Sequence, residues 1–306
     1  KKAYENFVNN KDDINVKFKH EYQKFCEKHA FWLEEFVVYF SLKQQFDLKS
    51  WIEWPKRYRA HDDDAIYLWK ETHNKELDYY RFIQWVFYHQ WSTLKDYAND
   101  QQIQIIGDMP IFVAHDSVDV WMDQDLYTLN KDGSLRYQAG VPPDYFSETG
   151  QLWGNPLYNW EAMQKKQFEW FTNRITHLLN LVDWIRIDHF RGFEAYWRVE
   201  GTAQNAIKGE WIKAPGEELF QEIRKKYGEL PIIAENLGVI TSEVEKLRKK
   251  FGFPGMAILQ FGFSGNGKNV HLPHNYERNT LVYTGTHDNN TTLGWWQNDA
   301  TQKEKS

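Results

Sequence analysis

Leu181-Val-Asp-Trp-Ile-Arg-Ile-Asp-His189 is the stretch on which the fold turns. Its apolar run, residues 181–187, has strand length, and it ends not in a turn but in charge. Side chains on a strand alternate faces, so Arg186 and Asp188 share one side while Ile185 and Ile187 face the other and pack against helices. Similar short apolar runs recur at 103–114, 231–234, 256–261 and 281–283. Between them lie stretches with apolar residues at helical spacing, 160–181, 217–227 and 241–251. The last carries a start signal, with Thr241 as N-cap and Val244, Leu247 and Phe251 on one face. Strands alternating with helices predict an α/β fold whose parallel sheet is covered by helices, either a closed (β/α)8 barrel or an open doubly wound sheet.

The strand ends favour the barrel. The first run delivers Gly107-Asp108, the second Arg186-Ile-Asp-His189, the third Glu235-Asn236 and the last Thr286-His-Asp-Asn289. An unpaired charge at the end of an apolar strand is costly, so a fold does this rarely without a reason. Several strands each presenting an acid at the C-terminal end is the arrangement of a (β/α)8 active site. A guanidinium beside Asp188 favours the charged carboxylate that attack on an anomeric carbon requires. Glu235 follows Ile232-Ile-Ala234, surroundings that favour the neutral acid. A protonated carboxyl there could donate to a leaving glycosidic oxygen and then act as base.

Residues 1–98 have a different texture. Apolar side chains return every three or four positions over 18–33 and again over 76–98, with no strand pattern. Trp54-Pro55 and Asp62-Asp-Asp64 read as loop or helix start. The whole chain of 306 residues has 42% hydrophobic and 26% charged residues, the balance of a globular protein. Its net charge of −6 is mild and its basic residues are scattered, which argues against nucleic acid. No apolar run reaches the length of a membrane span, and the first ten residues lack a signal-peptide core. One cysteine, Cys26, excludes an internal disulfide and fits a reducing, cytoplasmic compartment. The aromatic content of 17%, with 15 Trp, suits either a packed core or a surface that stacks on sugar rings, and composition does not choose.

Longer strings then connect these residues to a family. Ile106-Gly-Asp-Met-Pro-Ile-Phe-Val-Ala114, Gly140-Val-Pro-Pro-Asp-Tyr-Phe-Ser-Glu-Thr-Gly-Gln-Leu-Trp-Gly-Asn-Pro156, Arg186-Ile-Asp-His-Phe-Arg-Gly192, Ile233-Ala-Glu-Asn-Leu-Gly238 and Tyr283-Thr-Gly-Thr-His-Asp-Asn289 closely resemble the amylomaltases, 4-alpha-glucanotransferases related to plant disproportionating enzyme. The resemblance runs over essentially the whole chain. It implies a (β/α)8 barrel of the α-amylase type over residues 99–306, here incomplete and comprising about strands three to seven. Residues 1–98 would be a helical subdomain inserted in it. On this reading the sequence is a piece of a longer protein.

The same resemblance implies roles. Asp188 looks like the nucleophile with Arg186 its charged neighbour, Glu235 like the general acid/base, and Asp288 like the third acid, which binds and distorts the reacting sugar. His189 and His287 are similar to histidines that bond sugar hydroxyls, and Asp108 to the acid after the third strand. Residues 140–156, with Tyr145, Phe146 and Trp153, resemble a lid over the acceptor side; their Gly and Pro residues read as an ordered loop. Asn236 stands where many relatives have Asp, a difference expected to tune rather than abolish activity. The implied reaction is retaining disproportionation of maltooligosaccharides, with an α-1,4-glucan donor and a sugar acceptor, no metal and no cofactor. An α-glucan hydrolase using the same acids, or a non-catalytic glucan-binding module, stands as the alternative.

Overall fold

The structure, a computed structural model, describes residues 1–10, 13–144, 147–263 and 265–305. Its strands are β1 (Ile106–Pro110), β2 (Tyr137–Val141), β3 (Gln151–Pro156), β4 (Trp184–Asp188), β5 (Ala195–Glu200), β6 (Glu210–Lys213), β7 (Ile232–Ala234), β8 (Gly255–Ile258) and β9 (Thr280–Tyr283). The fold is mixed α/β, and each of the five predicted runs contains a strand. The chain forms two compact units, residues 1–103, 112–163 and 198–210 in the first and 104–111, 164–197 and 211–306 in the second.

The first unit is built on the helices Asp13–Gln45 and Asn74–Asp100. Aromatic rings fill the seam between them, with Phe25 5.2 Å from Tyr88 and Phe7, from helix Lys2–Asn9, 4.9 Å from Phe82. Arg81 closes it with a two-pronged pair to Glu34, at 2.8 and 2.6 Å. Trp51 and Trp121 are fully enclosed, and each indole N–H finds a carbonyl at 2.7 Å, of His115 and Tyr58 respectively. Many of the tryptophans here therefore serve packing, the blander reading of the aromatic content. Asp62 caps helix Asp63–Thr72 by accepting from Ala65 N–H, so the acidic run is a helix start.

Also in this unit, β2 and β3 pair as an antiparallel hairpin. The stretch 140–156, expected to be loop, thus begins and ends in strand. The signal was hidden because Gly140, Gly154 and Pro156 fall inside the strands and apolar alternation is weak. Gly140 is required by its neighbour, since a Cβ there would stand 2.4 Å from Gln151 O.

The second unit holds the parallel strands. β1, β4 and β7 form one sheet with β4 in the middle, and β8 pairs with β9. Ala234 N–H donates to Pro254 O at 2.8 Å, linking the end of β7 to the start of β8. In register, Asp108 lies opposite Arg186 and Arg186 opposite Ile233, so these share a face, while Met109, Ile187 and Ala234 share the other. Ile185, Ile187, Ile232 and Ala234 are fully buried, as the alternation required. A cluster of Phe190, Phe193, Phe220 and Phe253 packs nearby, with centroids 5.2 Å apart for Phe193–Phe220 and Phe220–Phe253. On the acid-bearing face below Arg186 and Glu235, Ile233, Met256 and Ile258 pack with Trp184, Leu281 and Tyr283.

Of the helices here, Gly216–Tyr227 and Ser242–Lys250 follow the expected spans, and Thr241 caps the latter by accepting from Val244 N–H. The span 160–181 is instead two helices, Trp160–Lys165 and Glu169–Leu181. Gln167 and Phe168 between them have φ of 51° and 54°, a left-handed bend that interrupts the helix. Phe168 is buried, so packing offsets the local strain that periodicity could not reveal. Among the described residues no helix is long and apolar enough to cross a membrane.

Candidate active site

Asp188 closes β4 and Glu235 directly follows β7, while Asp108, expected at the end of its strand, lies in the middle of β1, which continues to Pro110. Arg186 is the centre: it is 8% exposed, and its two terminal nitrogens reach Asp108 Oδ1 at 2.7 Å and Asp188 Oδ1 at 2.8 Å. A planar guanidinium can bridge two carboxylates in this way where a lysine could not. The Asp188 carboxylate is thereby held in place with a positive charge against it.

Glu235 stands one strand away. The parallel ladder runs on past β7, because Glu235 N–H donates to Ile187 O at 3.0 Å and Phe190 N–H to Glu235 O at 3.2 Å. Asp188 and Glu235 are therefore lateral neighbours on one face. Adjacent strands lie about 4.8 Å apart, so the backbones that carry these two acids are direct neighbours. Burial pushes the Glu235 carboxyl up, the negative charge of Asp188 adds to this, and two backbone N–H groups and Arg186 oppose it; the result is about 7. Those N–H groups belong to Leu237, 2.6 Å from Oε1, and His189, 2.8 Å from Oε2. Each carboxyl oxygen keeps a position for one further partner, so the group can still give and take a proton.

His189 makes the junction. Its φ of 53° ends β4 and starts the turn Phe190–Phe193, turning its N–H towards Glu235. Burial, with the nearby Arg191 charge, pushes its imidazole down to about 4, so the ring is neutral near pH 7 and can both donate and accept hydrogen bonds. His287 and Asp288 sit in the exposed loop after β9, with His287 Nε2 3.4 Å from Asp288 Oδ1 and 4.0 Å from Asp108 Oδ2. This loop therefore reaches the cluster through His287, while Asp288 faces solvent at its edge. Among the described residues, no three His, Cys, Asp or Glu side chains stand where they could hold a metal.

Other sequence candidates fall elsewhere. Trp153 lies on β3 in the first unit, 6.4 Å from Phe112, with its indole N–H on Gln151 Oε1 at 3.2 Å. Tyr145 and Phe146 lie outside the described residues. Asn236 has both polar atoms engaged within the protein, donating to Glu245 Oε1 at 2.7 Å and accepting from Met256 N–H at 2.8 Å.

Three supporting residues escaped the sequence reading. Gln260, 4% exposed, donates to Asn290 O at 3.0 Å and braces the loop of His287 and Asp288. It is the polar residue inside the apolar run 256–261, which was its signal. Arg191 is buried, its guanidinium 3.9 Å from the centre of the Trp211 ring, and it donates to Val239 O in the loop after Glu235. Arg248, also buried, pairs with Glu245 at 2.6 Å. In Lys246-Leu-Arg-Lys-Lys250 it is one of four basic residues, and nothing within that run singles it out.

The sequence matches the glycoside hydrolase 77 family, described as 4-alpha-glucanotransferase, over residues 1–306. It is 46% identical over 306 residues to the 4-alpha-glucanotransferase of Clostridium butyricum and 46% over 308 residues to that of Thermus thermophilus. All of the chain is covered in both alignments, and it spans 61% of each relative. Amylomaltase from Streptococcus agalactiae in complex with acarbose superposes with a TM-score of 0.92 at 42% identity, covering 99% of this chain and 61% of that one.

Proposed function

The chain belongs to the 4-alpha-glucanotransferase family, and we propose that the protein transfers α-1,4-glucan chains from a donor to the 4-hydroxyl of a sugar acceptor by a retaining double displacement. The observation that carries this is the pairing, on adjacent parallel strands, of an Asp188 carboxylate held by Arg186 with a Glu235 carboxyl raised to about 7. In the first step neutral Glu235 gives its proton to the glycosidic oxygen as Asp188 bonds to the anomeric carbon and the C–O bond breaks. In the second, the Glu235 carboxylate takes the proton of the acceptor hydroxyl, whose oxygen displaces Asp188. Configuration is inverted twice and so retained.

On this reading Asp288 and His287 bind the sugar in the reacting subsite, with Asp108 and His189 bonding hydroxyls. The resemblance implies an acceptor-side role for Tyr145, Phe146 and Trp153, since excluding water favours a sugar as acceptor. The five parallel strands of the second unit are then part of a (β/α)8 barrel whose remaining strands lie outside residues 1–306. The helical residues 1–98 are an insertion in it. The compartment that fits a lone thiol is the cytoplasm.

Maltotriose incubated with the protein at its full natural length tests the reading. A ladder of longer maltooligosaccharides together with glucose is the expected product, absent in Asp188→Asn. Shorter sugars alone would make the protein a hydrolase, and a folded protein that binds the sugar unchanged would make it a binding module.

A further inference from the structure

Glu235 and Leu237 are two residues apart, yet the Leu237 N–H turns back onto the Glu235 carboxyl. That requires the intervening residue to be fixed. Asn236 is fixed on both sides. Its Oδ1 accepts from Met256 N–H at 2.8 Å, and its Nδ2 donates to Glu245 Oε1 at 2.7 Å. β7 has only three residues, so the Asn236 side chain takes over a bond to β8 that a longer strand would make with its backbone.

We propose, on the reading of Glu235 as general acid/base, that Asn236 is a positioning residue: clamped between Glu245 and the β8 backbone, it fixes the peptide that aims the Glu235 carboxyl. Glu245 is itself immobilised. Arg248 Nε and Nη2 hold its Oε2 at 3.1 and 2.6 Å, and Nε also reaches Oε1 at 3.3 Å, the oxygen that accepts from Asn236. Arg248 is 3% exposed and also donates to Phe253 O at 2.8 Å and Glu277 Oε2 at 3.2 Å. Burial pushes the Glu245 carboxyl up, but the bonds from Arg248 and Asn236 overcome it and hold the group below the usual range, as a carboxylate. A carboxylate only accepts, so position 236 must present a donor towards it. It must also present an acceptor towards Met256. An amide has one of each. The Asp that many relatives carry here can meet both only by holding a proton against Glu245, so Asn is the better fit to a Glu245 kept as a carboxylate by Arg248. Gly255 leaves the room, since a Cβ on it would stand 3.0 Å from both amide atoms of Asn236.

The test is a donor swap in the protein at full natural length. Asn236→Asp is expected to lower kcat on maltotriose by about ten- to a hundredfold, the scale of a small misplacement of a catalytic group, with KM nearly unchanged. Adding Glu245→Gln should restore most of it, because the new amide donates to the carboxylate introduced at position 236 while the net charge of the pair is unchanged. The initial burst of fluoride from α-maltotriosyl fluoride should stay close to that of the parent, because fluoride leaves without needing a proton. Should Asn236→Asp not fold, Gly255→Ala, which crowds the same amide, should show the same split between the two donors. Full activity in Asn236→Asp, equal loss on both donors, or no recovery in the folded double variant would overturn the proposal. Glu235→Gln is the control, losing maltotriose turnover but keeping the fluoride burst; loss of both would remove the assignment of Glu235 itself.

Discussion

The backbone N–H of His189 donates a 2.8 Å hydrogen bond to the carboxyl of Glu235. His189 directly follows Asp188, so the strand that carries one acid also grips the other. Their backbones are joined by the parallel ladder, through Glu235 N–H on Ile187 O and Phe190 N–H on Glu235 O. The charge of Arg186 is shared between Asp108 and Asp188 in the same cluster.

Turnover should fall as pH rises through about 7. Only neutral Glu235 can protonate a leaving oxygen, and it titrates at about 7 because it is buried beside Asp188, with Arg186 and two backbone N–H groups opposing. The His189 ring, already neutral here, adds no limb of its own near pH 7. The alkaline limb of kcat/KM is the measurement. A limb near the ordinary glutamate value would contradict the buried acid.

Stability should carry the same signature. The folded state holds a proton on Glu235 at pH values where the unfolded chain, titrating near the ordinary 4.5, has released it. Its contribution is therefore greatest below the unfolded value and is lost as pH rises towards 7, on the order of 3 kcal/mol for a shift of this size. The difference in unfolding free energy between the protein and Glu235→Gln, followed from pH 4 to 8, isolates this group. A pH-independent difference would count against the raised value.

Replacing Arg186 should damage both folding and chemistry. In Arg186→Met, Asp108 and Asp188 lose the cation between them, and breaking a buried pair of this kind costs about 3–5 kcal/mol, less here because both acids are partly exposed. Denaturant unfolding measures the first effect and maltotriose turnover the second. Arg186→Lys keeps the charge but cannot fork to both acids, so it should recover stability better than activity.

Thr241→Ala removes the cap of helix Ser242–Lys250, whose side chains Glu245 and Arg248 support Asn236. The bond from Val244 N–H is long, 3.5 Å, so the expected cost lies at the lower end for a lost cap, about 0.5–1 kcal/mol. Urea midpoints at constant slope would show it.

Gly140→Ala should be worse than its size suggests. The new methyl meets Gln151 O at 2.4 Å, a backbone atom in the hairpin that cannot swing aside. A loss of about 1–3 kcal/mol, the usual cost of overpacking, is expected in thermal unfolding. Little change would mean that β2 and β3 are not held in this register.

Sequence alone placed the parallel strands, Asp188 and Glu235 at the ends of two of them, and the cap at Thr241, because period-two and period-3.6 patterns and capping chemistry are local. It also assigned Asp188, Arg186 and Glu235 to one chemistry, since a charge closing an apolar strand is unusual whatever lies beside it. It could not place β2 and β3, where glycine and proline interrupt the alternation, nor the break at Gln167 and Phe168, which burial of one ring sustains. Only the tertiary structure set Asp188 and Glu235 side by side, turned the His189 and Leu237 N–H groups onto the acid, and gave Asn236 its partners in Glu245 and Met256. The reason is physical: register, burial and hydrogen bonding join residues as far as seventy-eight positions apart along the chain, such as Asp108 with Arg186, and no pattern within a single segment encodes them.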